Sequence, residues 1–104
     1  MNSSGEQDWE QAKEEIRSRV SIVDLAEEYV NLEKKGQNHW ALCPFHNENT
    51  PSFSVNQDLG IYKCFGCGKG GDVFSFLQEM ERCEFMEALK MLAERTGVEL
   101  PNHG

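Results

Sequence analysis

Apolar residues recur at helical spacing through the first 30 positions of the chain, with Trp9, Ala12, Ile16 and Val20 on one side and charged residues between them. Ser21 followed by Asp24 reads as a cap that starts a second short helix carrying Ile22, Val23, Leu25, Ala26 and Tyr29. From 31 to 65 the pattern shortens: Gly36, Asn38, Pro44, Pro51 and Gly60 punctuate stretches rich in Phe, Val, Ile, Tyr and Trp. This predicts antiparallel strands near 31–35, 39–43, 53–57 and 61–65, with Phe53 and Val55 facing inward and Ser54 and Asn56 outward. Asp72, after the glycine run 68–71, is a good N-cap for a helix carrying Val73, Phe76, Leu77 and Met80. A last helix over about 84–96 gathers Phe85, Ala88, Leu89 and Leu92 on one face and stops at Gly97. Residues 1–100 read as one domain of the α+β class, and 101–104 as the start of a linker or tail.

A chain of 104 residues, 38% of them hydrophobic, can bury only a marginal core. The cysteines offer a remedy. Cys43-x-x-His46 and, after a gap of 17 residues, Cys64-x-x-Cys67 have the paired spacing of a tetrahedral zinc site in which each pair sits on a tight turn. Three thiolates and an imidazole fill the shell of one Zn²⁺ and leave no position for a substrate, so the ion is expected to be structural. Such sites contribute roughly 10–16 kcal/mol of apparent binding free energy in small peptides, as much as a short domain's entire stability. Metal and fold should form one cooperative unit.

Three other accounts of these residues are weaker. Two disulfides would suit a secreted protein, but the polar, acidic start of the chain does not read as a signal peptide, and no apolar run reaches membrane-spanning length. A reducing cytoplasm is the expected setting. A thioredoxin-like redox pair at Cys64 and Cys67 leaves Cys43 and His46 without a role. The sequence His46-Asn47-Glu48 ahead of Cys64-x-x-Cys67 also fits the zinc-deaminase pattern. Against that, Cys43 adds a fourth ligand, Thr50 and Pro51 come too soon for Glu48 to ride on a helix, and no proline immediately precedes Cys64. Cys83 is left as a small buried apolar residue.

The net charge of −8 argues against a broadly basic nucleic-acid face, but its distribution is uneven. Residues 1–30 hold eight acids and three bases, and residues 72–104 seven acids and three bases; residues 31–71 hold three acids and four bases. An anion-binding face must rest on a few lysines in this middle segment. Phe53 and Phe65 are expected in the core. Trp40 and Tyr62 stand near Lys34, Lys35 and Lys63, and aromatic faces beside cations are how sheets hold single strands. Lysines that merely protect a sheet edge account for the same pattern equally well.

The stretches Cys43-Pro44-Phe45-His46, Thr50-Pro51-Ser52-Phe53-Ser54-Val55, Cys64-Phe65-Gly66-Cys67-Gly68, Gly70-Gly71-Asp72 and Phe76-Leu77 together resemble the N-terminal zinc-binding domain of bacterial DNA primase. Ile22-Val23-Asp24, Tyr29-Val30 and the final helix match too, so the resemblance covers about residues 14–100. It implies a zinc ribbon on a small antiparallel sheet flanked by short helices, tethered to a catalytic domain that polymerises ribonucleotides. It further implies one structural zinc on Cys43, His46, Cys64 and Cys67, and a role in reading single-stranded DNA template during primer initiation. Carried onto this sequence, the template face is expected at Lys34, Lys35, Trp40, Tyr62, Lys63 and Lys69. Gln37 and Asn49 stand where the family commonly carries basic residues, which leaves more of the phosphate contact to those lysines. The acidic cluster that holds catalytic magnesium in the family is not found in these residues, so the chain alone is not expected to polymerise. The alternative is a protein-interaction module whose acidic helices dock on the primase catalytic domain, in cis or in trans, or on a replicative helicase.

Overall fold

The computed structural model describes residues 4–45 and 51–101. Two helices, α1 (Ser4–Arg19) and α2 (Ile22–Glu27), precede five strands: β1 (Glu33–Lys35), β2 (Asn38–Ala41), β3 (Phe53–Asn56), β4 (Ile61–Cys64) and β5 (Gly70–Gly71). Helices α3 (Val73–Glu81) and α4 (Phe85–Thr96) follow. The strands form an antiparallel meander in the order β1-β2-β3-β4-β5. The α+β class and four of the strands therefore fall where the sequence predicts them. The fifth strand is the glycine pair, whose lack of side chains gives no alternation to read. Its backbone pairs with Tyr62 and Lys63, and at Gly71 a Cβ would stand 2.6 Å from that of Ser75, so only glycine lets the strand approach α3.

Local signals set the helix ends. Ser21 Oγ accepts from the Asp24 N–H at the start of α2 and itself donates to Gln57 Oε1, which also accepts from the Val23 N–H, so the β3–β4 turn is tied to this helix. Asp72 caps α3 by accepting from the Phe74 and Ser75 N–H groups, and its other oxygen accepts from Arg17 Nε at 3.2 Å. The Arg17 guanidinium also lies over the Phe74 ring, so one side chain joins α1 to the beginning of α3. Glu84 and Glu87 form a capping box at the start of α4, and Gly97, with φ of 78°, closes its end in the left-handed conformation.

The helices cover one face of the sheet. Ile16, Ile22, Leu25, Leu89 and Leu92 are almost completely buried, and they meet a cluster of rings beneath the strands. Phe76 is at its centre, with ring centroids 5.5 Å from Tyr62, 5.7 Å from Tyr29 and 6.0 Å from Phe53. Phe53 and Val55 face this core, as predicted. Ser54 points to the opposite face but is only 8% exposed, because its cross-strand neighbours Trp40 and Lys63 flank a small side chain on the central strand.

Replacing Phe76 by Ala is expected to destabilise the domain by about 3–5 kcal/mol, through lost transfer free energy and an unfilled cavity. Denaturant unfolding of the zinc-loaded protein measures this; a cost below about 1 kcal/mol would show that the ring cluster does not organise the core.

Candidate metal centre and sheet face

Alternation brings the cysteines together. Cys43 lies two residues beyond Ala41 at the end of β2, Cys64 ends β4 opposite Phe53, and Cys67 follows on the turn after β4. Two strand ends and one turn thus point their sulfurs at one place. The three Sγ atoms lie within 4.8 Å of one another, and those of Cys43 and Cys67 are 3.8 Å apart. Zinc–sulfur bonds of about 2.3 Å at tetrahedral angles place sulfurs about 3.8 Å apart, so the donor set fits zinc. No disulfide links them. His46, the fourth ligand expected, and Glu48 of the deaminase pattern lie outside the described residues.

Backbone geometry prepares the sulfurs for negative charge. The Gly68 N–H donates to the Cys64 carbonyl at 2.8 Å, closing the second turn with Gly68 at φ of 84°. Burial raises the Cys64 thiol, but the Cys67 N–H, the Cys43 thiol, the Ser52 hydroxyl and the Gly66 N–H together outweigh it and bring it down to about 7. Cys43 behaves oppositely: burial dominates and pushes it up to about 12, although the Phe45 N–H reaches its sulfur at 3.4 Å. A divalent ion at this point reverses that balance, because thiolate ligation outweighs desolvation. Cys83 is partly buried against the core rather than fully enclosed, and burial raises its thiol too.

The sheet divides the six residues expected at the template face. The register aligns Glu33, Trp40, Ser54, Lys63 and Gly70 on one face, and alternation adds Lys35, Asn38, Asn56 and Ile61 to it. Lys34 and Tyr62 belong to the other face. Tyr62 is 3% exposed, packed against Phe45, Phe53 and Phe76, and burial is the main reason its hydroxyl is pushed up to about 12. Its expected place on an exposed face is therefore corrected: period-two alternation puts it opposite its neighbour Lys63. Lys34 lies at the helix-side edge of β1 and is exposed. Lys69, in the turn after Cys67, pairs with Glu79 of α3 at 3.3 Å. Lys35 pairs with Glu33 at 3.7 Å on the outer face.

Phe65 corrects the reading in the other direction. Expected in the core, it is 64% exposed. Its ring stacks on Trp40 with centroids 5.9 Å apart and an interplanar angle of 26°, and Lys63 Nζ lies 5.5 Å from the same ring. The signal was present in the order Tyr62, Lys63, Cys64, Phe65, which alternates in, out, in, out once Cys64 is committed to the metal. Leu42 and Ile61, also exposed, extend the apolar surface of this outer face.

No helix among the described residues is long and apolar enough to cross a membrane. Comparison with known proteins agrees with the geometry. The sequence profile of the CHC2 zinc finger matches residues 9–104. The DNA primase of Halalkalibacterium halodurans is 56% identical over 88 residues, which cover 85% of this chain and 15% of that protein. The DNA primase of Thermotoga maritima is 56% identical over 87 residues, covering 84% and 15%. The chain thus spans about 15% of the length of these relatives. A crystal structure of the Aquifex aeolicus primase, comprising zinc-binding and RNA polymerase domains, superimposes with a TM-score of 0.82 at 46% identity, covering 86% of this chain and 22% of that one. With three thiols gathered from two strand ends and one turn of a five-stranded sheet and a profile match across most of its length, this chain belongs to the CHC2 zinc finger family, as a structural-zinc domain of the DNA-primase type.

Proposed function

We propose that this domain holds single-stranded DNA template on the outer face of its sheet and assists initiation of RNA primers by a primase catalytic domain. The observation that carries this reading is the stack of Trp40 on Phe65 with Lys63 beside it. Exposed π surface takes a base and an adjacent ammonium takes a phosphate, which is the usual way single strands are bound without a duplex groove. Lys35 stands on the same face, paired with Glu33, and so adds little net charge to it. Lys34 and Lys69 lie off this face and contribute at most to the field around it.

In this reading Cys43, His46, Cys64 and Cys67 hold the zinc ion in a closed shell. The ion supplies rigidity, clasping the β2 end to the β4 turn so that Trp40 and Phe65 stay in register; it offers no open position for chemistry. Nucleotide joining belongs to the remainder of a primase, and the similarity to proteins of which this chain spans about 15% supports that division.

The acidic helices support the alternative, docking on a catalytic domain or replicative helicase, less well. Many of their carboxylates already have partners within the fold: Glu14 with Arg17, Glu15 with Arg19, Glu28 with Arg95, Glu79 with Lys69, and Glu81 accepting from the Tyr29 hydroxyl at 2.6 Å. A surface whose charges are answered locally offers less to a basic partner.

Two measurements test the proposal. Trp40→Ala should weaken binding of a single-stranded oligonucleotide at low salt by roughly 5- to 100-fold, the value of about one base stack, and Lys63→Ala should lower the salt slope by about 0.7. Tyr62→Phe should leave both unchanged. If Trp40→Ala binds as the parent does, the template does not use this face.

The ligand set predicts how zinc uptake depends on pH. Cys43, pushed up to about 12 by burial, is protonated in the metal-free protein at neutral pH and must release its proton on loading. Apparent zinc affinity should therefore rise with pH between about 6 and 8, about tenfold per pH unit for each proton released. Competition with a chromophoric chelator measures it. Affinity independent of pH would contradict ligation by Cys43, and unchanged stoichiometry and affinity in His46→Ala would contradict the fourth ligand.

A further inference from the structure

The outer face carries a polar pair beside its aromatic stack. Asn38 and Asn56 are directly opposed on β2 and β3, both half-buried, and Asn38 lies two residues from Trp40 along β2, about 7 Å away. Their amide orientations follow from a chain of hydrogen bonds that begins at the backbone. The Leu59 N–H can only donate, and it reaches Asn56 at 2.9 Å, so the atom it meets is Oδ1. The other end of the Asn56 amide is then Nδ2, which donates to Asn38 at 3.1 Å and requires Oδ1 there. What Asn38 has left is its Nδ2 group. Among the described residues this group donates to nothing in the protein.

We infer that Asn38 is a specificity-determining residue that reads the base beside the Trp40–Phe65 stack. Its amide is held with Oδ1 taken by Asn56 and the NH₂ group left over for a partner, and so favours a base offering a keto oxygen there over one offering an amino group. A keto base accepts the hydrogen bond; an amino base brings donor against donor and leaves both without an acceptor. The inference rests on the template-face reading and adds to it a direction of base preference. That preference does not come from the stack, because every base has a π face.

The test compares short labelled oligodeoxyuridine and oligodeoxycytidine of equal length, bound to the zinc-loaded 104-residue chain at low salt. These bases differ at the exocyclic position, keto or amino, with the matching change at the ring nitrogen beside it, and neither carries a methyl group. The parent should bind deoxyuridine about fivefold more tightly, the value of roughly one neutral hydrogen bond. Asn38→Asp is the decisive variant. A carboxylate of the same shape still accepts from Asn56 Nδ2, so the pair and the hairpin are kept, but the outward atom becomes an acceptor. Its added charge weakens both complexes alike, and the ratio should reverse in favour of deoxycytidine. Asn56→Ala frees the Asn38 amide to turn over and should bring the ratio towards one.

Equal affinity of the parent for both oligonucleotides, or a ratio that Asn38→Asp leaves unchanged, overturns the assignment of Asn38. If Trp40→Ala still weakens both complexes, the template face itself stands. Binding of neither oligonucleotide, or binding indifferent to Trp40→Ala, overturns the face and the Asn38 assignment together.

Discussion

Convergence of three thiols at the C-terminal ends of β2 and β4, which run the same way on either side of β3, is the constraint on which this structure depends. Without a cation the geometry is frustrated: burial holds Cys43 protonated while N–H donors and neighbouring hydroxyl and thiol groups draw Cys64 toward the thiolate, with another sulfur 3.8 Å from Cys43. A divalent ion turns the same cluster from a desolvation cost into the largest single contribution to the fold. A chain with 38% hydrophobic residues has little other reserve. The metal also connects to the core directly. Cys64 is opposite Phe53 in the sheet, and Phe45, whose N–H reaches the Cys43 sulfur, packs edge-on against the Phe53 ring.

From that clasp the sheet acts as a partition. Its inner face is closed by Phe53, Val55 and Tyr62 against Phe76 and the helices. Its outer face has no helix over it among the described residues and carries Trp40, Lys63, Phe65, Asn38 and Asn56. Neighbouring residues on a strand therefore have unrelated roles: Tyr62 is core while Lys63 faces solvent, and Lys34 and Lys35 project to opposite faces. The β3–β4 turn is fixed twice, by Gln57 to the start of α2 and by Asn56 to its own backbone. A turn held in this way presents its outward side chains in one arrangement, which lowers the ordering cost of any contact made there.

The net charge of −8 fits this division once its placement is known. The acids concentrate on the helices, where Arg17, Arg19, Arg95 and Lys69 answer several of them at the surface. Such exposed pairs contribute little to stability individually. Most of the negative charge thus lies on the helical side, while on the outer face Glu33 is paired with Lys35 and Lys63 lies beside Phe65.

Much of this was readable from the chain. Helical spacing of Trp9, Ala12, Ile16 and Val20, caps at Ser21 and Asp72, and the stop at Gly97 are local signals, and the structure uses each of them. Paired Cys-x-x-His and Cys-x-x-Cys spacing specified a metal site because ligand chemistry tolerates few alternatives. The side of the sheet on which each aromatic lies was not read correctly for Tyr62 and Phe65, since both rings satisfy a hydrophobic pattern equally. Strand register, with Cys64 committed to the metal, sends one inward and the other outward. The glycine strand and the orientation of Asn38 were beyond any local pattern. One depends on how near α3 approaches Gly71, the other on a hydrogen-bond chain that crosses from β2 to β3 and ends in the turn at Leu59. Sequence by itself determined the helices, four of the strands and the cysteine spacing that gathers the thiols, because those depend on spacing within a few residues; tertiary structure alone decided which side chains share the outer face of the sheet, because that depends on which strands lie side by side.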